Sequence, residues 1–404
     1  MIFNLDEFLI AISFALDFVE LDLLGVPTNH GKRVAYIALN LAKKFNFSEK
    51  ELHDIVALSI LHDNGTSALL AKERPMDGSR EALILSEGVK AHCIIGEDNI
   101  KEYPFFTDIT NVIKYHHEKY DGTGFFALKG EEIPLMSEII FLSDRVELEF
   151  VNTGLNYNRR KEIVDFLETE REKSFSPKLI EVFYEVSEDK VFWQGLKDEN
   201  IIAALKTQTP KFSINLDLAQ VRKVTKIFSK IIDSKSRFTL VHSQGLAEKT
   251  EVMTEYYKLP EEEKQKLIIA ADLHDIGKLA ISNDILDKPD KLTREEFEEI
   301  KKHTKYTRMA LQHISGFEEI TEWAANHHEK LNGSGYPLGK TAEQLDFNSR
   351  LMGCLDIYQA LIEERPYRVS MPHEKAMAIL EEMGDSNLID ASIVKDINKV
   401  FCVR

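Results

Sequence analysis

Cysteine is scarce in this 404-residue chain: Cys93, Cys354 and Cys402 are far apart and odd in number. That usage excludes a disulfide framework of the kind that staples small secreted domains, and the reducing cytoplasm is the expected compartment. Positive charge is also in deficit, with 51 lysines and arginines against 68 aspartates and glutamates, a formal net charge of −17. Nucleic-acid binders carry a basic footprint, so polymeric nucleic acid is not an expected partner, although a few local cations can still hold a small anion. Residues 1–212 carry 24 basic and 36 acidic residues and residues 213–404 carry 27 and 32, which makes the second half the better host for an anion. Long apolar runs are missing too. No stretch approaches the ~20 uncharged residues of a membrane span, and no membrane association is expected. The N-terminal MIFNLDEFLIAISFALDF lacks a basic leader and is interrupted by Asp6, Glu7 and Asp17, so it reads as an amphipathic helix rather than a signal peptide. What is present is an ordinary globular mix, 43% hydrophobic and 29% charged, enough for two or three domains.

The histidines reveal the organisation. Of 13, ten pair across the two halves: His30 with His242 and His62 with His274 at an offset of 212, then His92 with His303, His116 with His327 and His117 with His328 at 211. Asp63 pairs with Asp275 and Asp144 with Asp356, again at 212, and HHEKYDGTGF (116–125) aligns with HHEKLNGSGY (327–336). A scaffold repeat should share apolar core positions first. Sharing mostly His and Asp points to a duplicated site. The chain therefore reads as two homologous domains, 1–187 and 213–404, joined by a connecting stretch over 188–212.

Both domains read as helical, giving an all-α class. Apolar residues recur at helical spacing, as in Val34, Ile37, Ala38 and Leu41. Ser48 with Glu51, and Thr293 with Glu296, form capping boxes. Pro260, followed by Glu261, Glu262 and Glu263, opens the helix before His274, with proline expected at the first helical position.

In the second half, His242, His274, Asp275, His303, His327, His328 and Asp356 make a set of imidazoles and carboxylates, which suits first-row transition metals. Neighbouring helix residues point about 100° apart. The adjacent pairs His274-Asp275 and His327-His328 are therefore expected to divide between two ions, with Asp275 bridging. Two divalent metals clamping the attacking and leaving oxygens are a standard device for phosphate-ester hydrolysis. Iron or manganese is favoured, with nickel, cobalt and zinc also compatible. A lone histidine on an apolar face is usually a packed core residue, but seven such residues recurring at fixed offset are not explained that way. His53, His313 and His373 stand outside the repeat and read as ordinary core or surface residues.

These residues also resemble a known family. HDIGK (274–278), the helix bearing His303, HHEKLNGSGYP (327–337), Asp356 and RPYR (365–368) together are similar to the HD-GYP phosphodiesterases over nearly the whole second half. The resemblance implies an all-helical HD core, a metal site of two or three ions, and hydrolysis of cyclic di-GMP to pGpG or GMP, with Asp275 and Lys278 in the catalytic machinery. It implies that Lys278, on the same helix face as His274, contacts a substrate phosphate. It also implies that Arg365 and Arg368 bind phosphate oxygens and that Gly335 and Tyr336 form the loop receiving a guanine. Three positions depart from the family. Phe238 stands where some members carry a glutamate for a third metal, which favours two metals and a linear product. Asn332 replaces the aspartate of the DGxGYP motif, and Gln359 replaces the second aspartate after Asp356.

The first half keeps His30, His62, Asp63, His92, His116, His117 and Asp144, a second candidate metal set. It has lost the substrate apparatus: Thr66 replaces the HDIGK lysine, and Phe125 and Phe126 replace Tyr336 and Pro337. It is expected to bind metal without hydrolysing the dinucleotide, acting as a sensor or a support. Three functions compete. They are a phosphodiesterase for cyclic di-GMP or for another cyclic dinucleotide such as 3′,3′-cGAMP, a non-catalytic cyclic-dinucleotide receptor, and an HD-type nucleotide hydrolase. A signalling protein or a second copy of the chain is left open as a partner.

Overall fold

The computed structural model describes residues 4–24, 29–66, 68, 87–152, 154, 156–211, 216–236, 241–288, 290–364 and 370–402. Arg365, Arg368 and Phe238 lie outside the described residues. Among those described, the regular elements are α- and 3₁₀-helices with no β-strand beyond two isolated bridges, as the all-α reading expects. Among the described residues, no helix is long and apolar enough to cross a membrane.

The chain divides into two compact units, residues 20–69 with 73–213, and residues 1–19 and 70–72 with 214–404. This differs from the boundaries read in the sequence at both ends of the first half. Helix α1 (Leu5–Leu24) begins in the unit of the second half. Leu5, Phe8, Leu9 and Ile12 are buried, the Phe8 ring meets Phe228 and Phe317, and Glu7 accepts hydrogen bonds from Ser315. Its apolar stripe is satisfied by whichever core lies within reach, and sequence order does not dictate which. The connecting stretch 188–212 holds two helices, Lys190–Gly195 and Ile201–Gln208, grouped with the first unit. Trp193 and Leu205 are buried there, and Gly195 abuts the Tyr36 ring so closely that a Cβ would overlap it.

In the first unit, α2 (His30–Lys44) begins with His30, α3 (Glu49–Ile60) ends just before His62 and Asp63, α4 (Glu87–Asn99) and α5 (Leu135–Asn152) hold His92 and Asp144, and His116 and His117 lie in a turn. The counterparts of these helices in the second are α6 (His242–Tyr256), α7 (Glu261–Leu273), α8 (Arg294–Leu311) and α9 (Phe347–Ile362). The Ser48 and Thr293 capping boxes both form. Pro260 sits at the N-cap of α7, one position earlier than expected. Both units end α3 or α7 just before the His-Asp pair and then turn sharply. The glycine two residues after the aspartate makes that turn workable. A Cβ on Gly277 would overlap the His303 carbonyl oxygen, and one on Gly65 the His92 carbonyl oxygen. Glycine is what lets α8, or α4, cross close enough to deliver its histidine.

Candidate metal centre

The second unit brings all seven proposed ligands together. Asp275 is at the centre: Oδ2 lies 3.2 Å from His274 Nε2, and Oδ1 lies 3.5 Å from His303 Nε2 and 3.9 Å from His327 Nε2. Asp356 gathers the other side, with Oδ1 3.0 Å from His242 Nε2 and 3.9 Å from His274 Nε2, and Oδ2 3.8 Å from His328 Nδ1. The ligand atoms of His303, His327 and His328 lie within 4.8 Å of one another. His327 also lies within 4.8 Å of the ligand atoms of His274 and Asp275, and the adjacent histidines can face one position. They can do so because His327 and His328 follow the end of the helix Glu318–Ala325 and leave its 100° spacing behind.

The local folding also selects the ligand atom. Nδ1 of His274, His303 and His327 faces the carbonyl oxygen three residues back, of Ala271, Ile300 and Ala324, at 2.8, 2.6 and 2.6 Å. A carbonyl only accepts, so Nδ1 carries the proton and Nε2 presents its lone pair to the cluster. His274 Nε2 and Asp275 Oδ1 are buried and have no hydrogen-bond partner. Orphaned buried atoms of this kind are costly unless something else satisfies them, and a divalent cation fits a set of converging lone pairs. Burial pushes His303 down to about 3 and His328 to about 4, keeping both imidazoles neutral and able to ligate. Burial opposes ionisation of Asp275 and Asp356, but the histidines around them, and Lys278 beside Asp275, outweigh it and hold both carboxyls far below their ordinary range.

Two supporting acids escaped the sequence reading. Glu363 Oε2 is 2.8 Å from His242 Nδ1, which aims Nε2 at Asp356. Burial disfavours charge on His242, but Asp356 and Glu363 together push it up to about 10. Gln359 donates to the same Glu363 oxygen at 3.0 Å, so this departure from the family lies one step behind the candidate ligands. In the first unit, Glu147 takes the part of Glu363 from three residues after Asp144, 2.7 Å from His30 Nδ1. Buried Glu329 is the second omission. It accepts from the backbone N–H groups of Leu338 and Lys340 and so fastens the glycine loop, while Asn332 accepts from Ser334 within that loop. The EK following each HH pair was the available signal.

Lys278 belongs to a 3₁₀ segment, Ile276–Ala280, not to the helix before His274, so the same-face expectation does not place it. Its Nζ reaches Asp275 Oδ2 at 2.5 Å, a partly exposed cation at the rim of the cluster. Tyr336 lies beside the cluster, 5.0 Å between ring centres from His328. Gly335 is needed because its own chain passes so near that a Cβ would overlap the backbone of Glu329 and Lys330.

The first unit repeats the arrangement. Asp63 Oδ2 is 3.6 Å from His62 Nε2, and Oδ1 is 3.4 and 3.7 Å from the Nε2 atoms of His92 and His116. His30 Nε2 is 3.4 Å from Asp144. The His117 ring is 4.0 Å from that of His116. Thr66 stands where Lys278 does, so the rim has no matching cation there.

An all-helical unit with a His-Asp pair at the end of one helix and further histidines converging on it defines the HD class. Residues 28–149 and 226–393 each match the HD domain family. The chain is 31% identical to 3′3′-cGAMP-specific phosphodiesterase 3 of Vibrio cholerae, over 94% of this chain and 91% of that protein. It is 29% identical to 3′3′-cGAMP-specific phosphodiesterase 1 of the same organism, over 96% and 90%. A probable cyclic di-GMP phosphodiesterase, also from Vibrio cholerae, is 42% identical over 32% of each chain. The crystal structure of V-cGAP3, a cyclic GMP-AMP-specific phosphodiesterase of V. cholerae, superimposes with a TM-score of 0.69 at 27% identity, covering 99% of this chain and 98% of that one. The chain belongs to the HD-GYP-type cyclic dinucleotide phosphodiesterases, with two HD domains in tandem.

Proposed function

We propose that the second unit hydrolyses one phosphodiester bond of a cyclic dinucleotide, with 3′,3′-cGAMP as the preferred substrate. Two relatives that span nearly the whole chain carry the choice of dinucleotide: both are named for 3′3′-cGAMP, whereas five relatives named for cyclic di-GMP align over 28–39% of it. The cyclic di-GMP expected from the motifs becomes the second reading. Discrimination between the two must come from residues contacting the bases.

We assign two divalent transition metals to His242, His274, Asp275, His303, His327, His328 and Asp356. When bound, they supply a nucleophilic hydroxide at neutral pH and neutralise charge developing on the phosphate. The protein's own groups do the rest. The backbone carbonyls of Ala271, Ile300 and Ala324, and Glu363 beside His242, keep the imidazole lone pairs aimed. Lys278 at the rim is assigned to a phosphate oxygen, in keeping with its partial exposure beside Asp275. Tyr336 offers a ring to a base, and Arg365 and Arg368 are assigned to the second phosphate by the family resemblance. In the balanced reaction, water oxygen joins phosphorus, one ester P–O bond breaks, and a water proton ends on the leaving hydroxyl. The product is a linear dinucleotide with a terminal phosphomonoester.

The test is turnover of 3′,3′-cGAMP and cyclic di-GMP at equal concentration by anaerobically purified protein with added manganese or iron, alongside Asp275→Ala. Faster opening of 3′,3′-cGAMP by the wild type alone supports the proposal. Faster opening of cyclic di-GMP reverses the substrate order. No product from either, with metal shown to be bound, overturns the catalytic reading in favour of a receptor.

A further inference from the structure

The repeat is imperfect at one informative place. His303 of the second unit is followed by Thr304, whose hydroxyl donates back to the Lys301 carbonyl oxygen and takes no part in the cluster. His92 of the first unit is followed by Cys93, which is fully buried, with Sγ 3.6 Å from His92 Nε2. The ligand atoms of His92, Cys93, His116 and His117 all lie within 4.8 Å of one another. We propose that Cys93, His92, His116 and His117 form a sulfur-containing, zinc-type metal site in the first unit, with a metal preference distinct from that of the second.

Two of the donor separations match such a site. Zinc bonds of about 2.0–2.1 Å to nitrogen and about 2.3 Å to sulfur give tetrahedral edges of about 3.4 Å between two nitrogens and about 3.6 Å between nitrogen and sulfur. His92 Nε2 lies 3.4 Å from His116 Nε2 and 3.6 Å from Cys93 Sγ. His116 Nδ1 is occupied by the Ile113 carbonyl oxygen at 2.5 Å, which leaves Nε2 as the donor. Independently, His62 Nε2 is fully buried without a hydrogen-bond partner and faces Asp63, whose other oxygen is 3.4 Å from His92 Nε2. Donor atoms of the unit therefore converge in one buried region. A thiolate selects softer ions than an all-imidazole and carboxylate set does. Four protein donors would complete a tetrahedron, the mark of a structural rather than a catalytic zinc. Thr66 in place of the lysine agrees with a site that no longer meets a phosphate.

The full-length chain, stripped of metal and refilled with cobalt(II), should show thiolate-to-cobalt charge transfer in the near ultraviolet. Cys93→Thr, which installs the second unit's residue, should abolish that band and weaken zinc retention at least about tenfold. Asp275→Ala should leave the band in place. A band that persists in Cys93→Thr would come from Cys354 or Cys402 and would overturn the assignment, as would cobalt binding with no band in the wild type. X-ray absorption at the zinc edge of the wild-type chain needs no variant: one sulfur at about 2.3 Å is expected, and a shell of nitrogen and oxygen alone refutes the site.

Discussion

Replacing Glu363 by glutamine keeps a hydrogen-bond acceptor beside His242 Nδ1 and removes only the charge, which isolates what that charge does. Glu363 is buried and 2.8 Å from Nδ1. Two effects of its removal oppose each other. In the metal-free protein, burial disfavours charge on His242, but Asp356 and Glu363 raise it to about 10, so near pH 7.5 a metal must first displace a proton from Nε2. Over roughly 2.5 pH units that displacement costs about 3 kcal/mol, and Glu363→Gln reduces it. The same charge also attracts the metal, which carries twice the charge of the proton. Removing an acid behind a metal-bound histidine typically weakens affinity 10–100-fold, and proton competition places the net effect near pH 7.5 at about tenfold. The sign of the pH dependence follows. Wild-type affinity keeps rising tenfold per pH unit up to about 10, whereas the variant, with a lower His242 pKa, levels off earlier, so the gap widens as pH rises. Competition against a chromophoric chelator at pH 7, 8 and 9 measures it on the full chain. An unchanged affinity, or a gap that closes with rising pH, refutes the role given to Glu363. Adding Gln359→Glu should recover most of the loss, because the first unit already holds His30 with Glu147 from that position.

Asp275→Ala removes the oxygen atoms at the centre of the cluster; metal content measured by mass spectrometry and dinucleotide turnover should both collapse, turnover by at least about a thousandfold. Full activity would remove Asp275 from the site. Lys278→Met should lower kcat/KM on the order of 10–100-fold, the loss of about one charged hydrogen bond to phosphate, with metal content unchanged. A matching fall in metal content would make Lys278 a support for Asp275 instead. Asp272, buried and held by Thr225, is raised by burial to about 7. Its ionisation is penalised only in the folded state, so stability should decline as pH rises from about 4 through 7. Asp272→Asn should flatten that decline and stabilise the chain at pH 8 on the order of 2–4 kcal/mol, with little change at pH 4, as read by denaturant titration.

The His and Asp pattern was legible along the chain because a duplicated domain repeats residue types at near-constant offset, and His and Asp have few reasons other than a shared site to recur together. Capping boxes at Ser48 and Thr293 were legible because they depend on residues three apart. Proximity across the fold was not. Glu363 and Glu147 serve the same histidine position from seven and three residues after the paired aspartate, a difference that means nothing until helix ends and rotamers are placed. Cys93 is one cysteine among three until α4 turns it onto three histidines. Helix α1 could be recognised as amphipathic from its spacing, yet the core that receives Phe8 is set by packing at long range. Local hydrogen bonding and ligand type are written in neighbouring residues, whereas the partner of a buried face or a ring nitrogen is decided only when distant segments compete for the same volume.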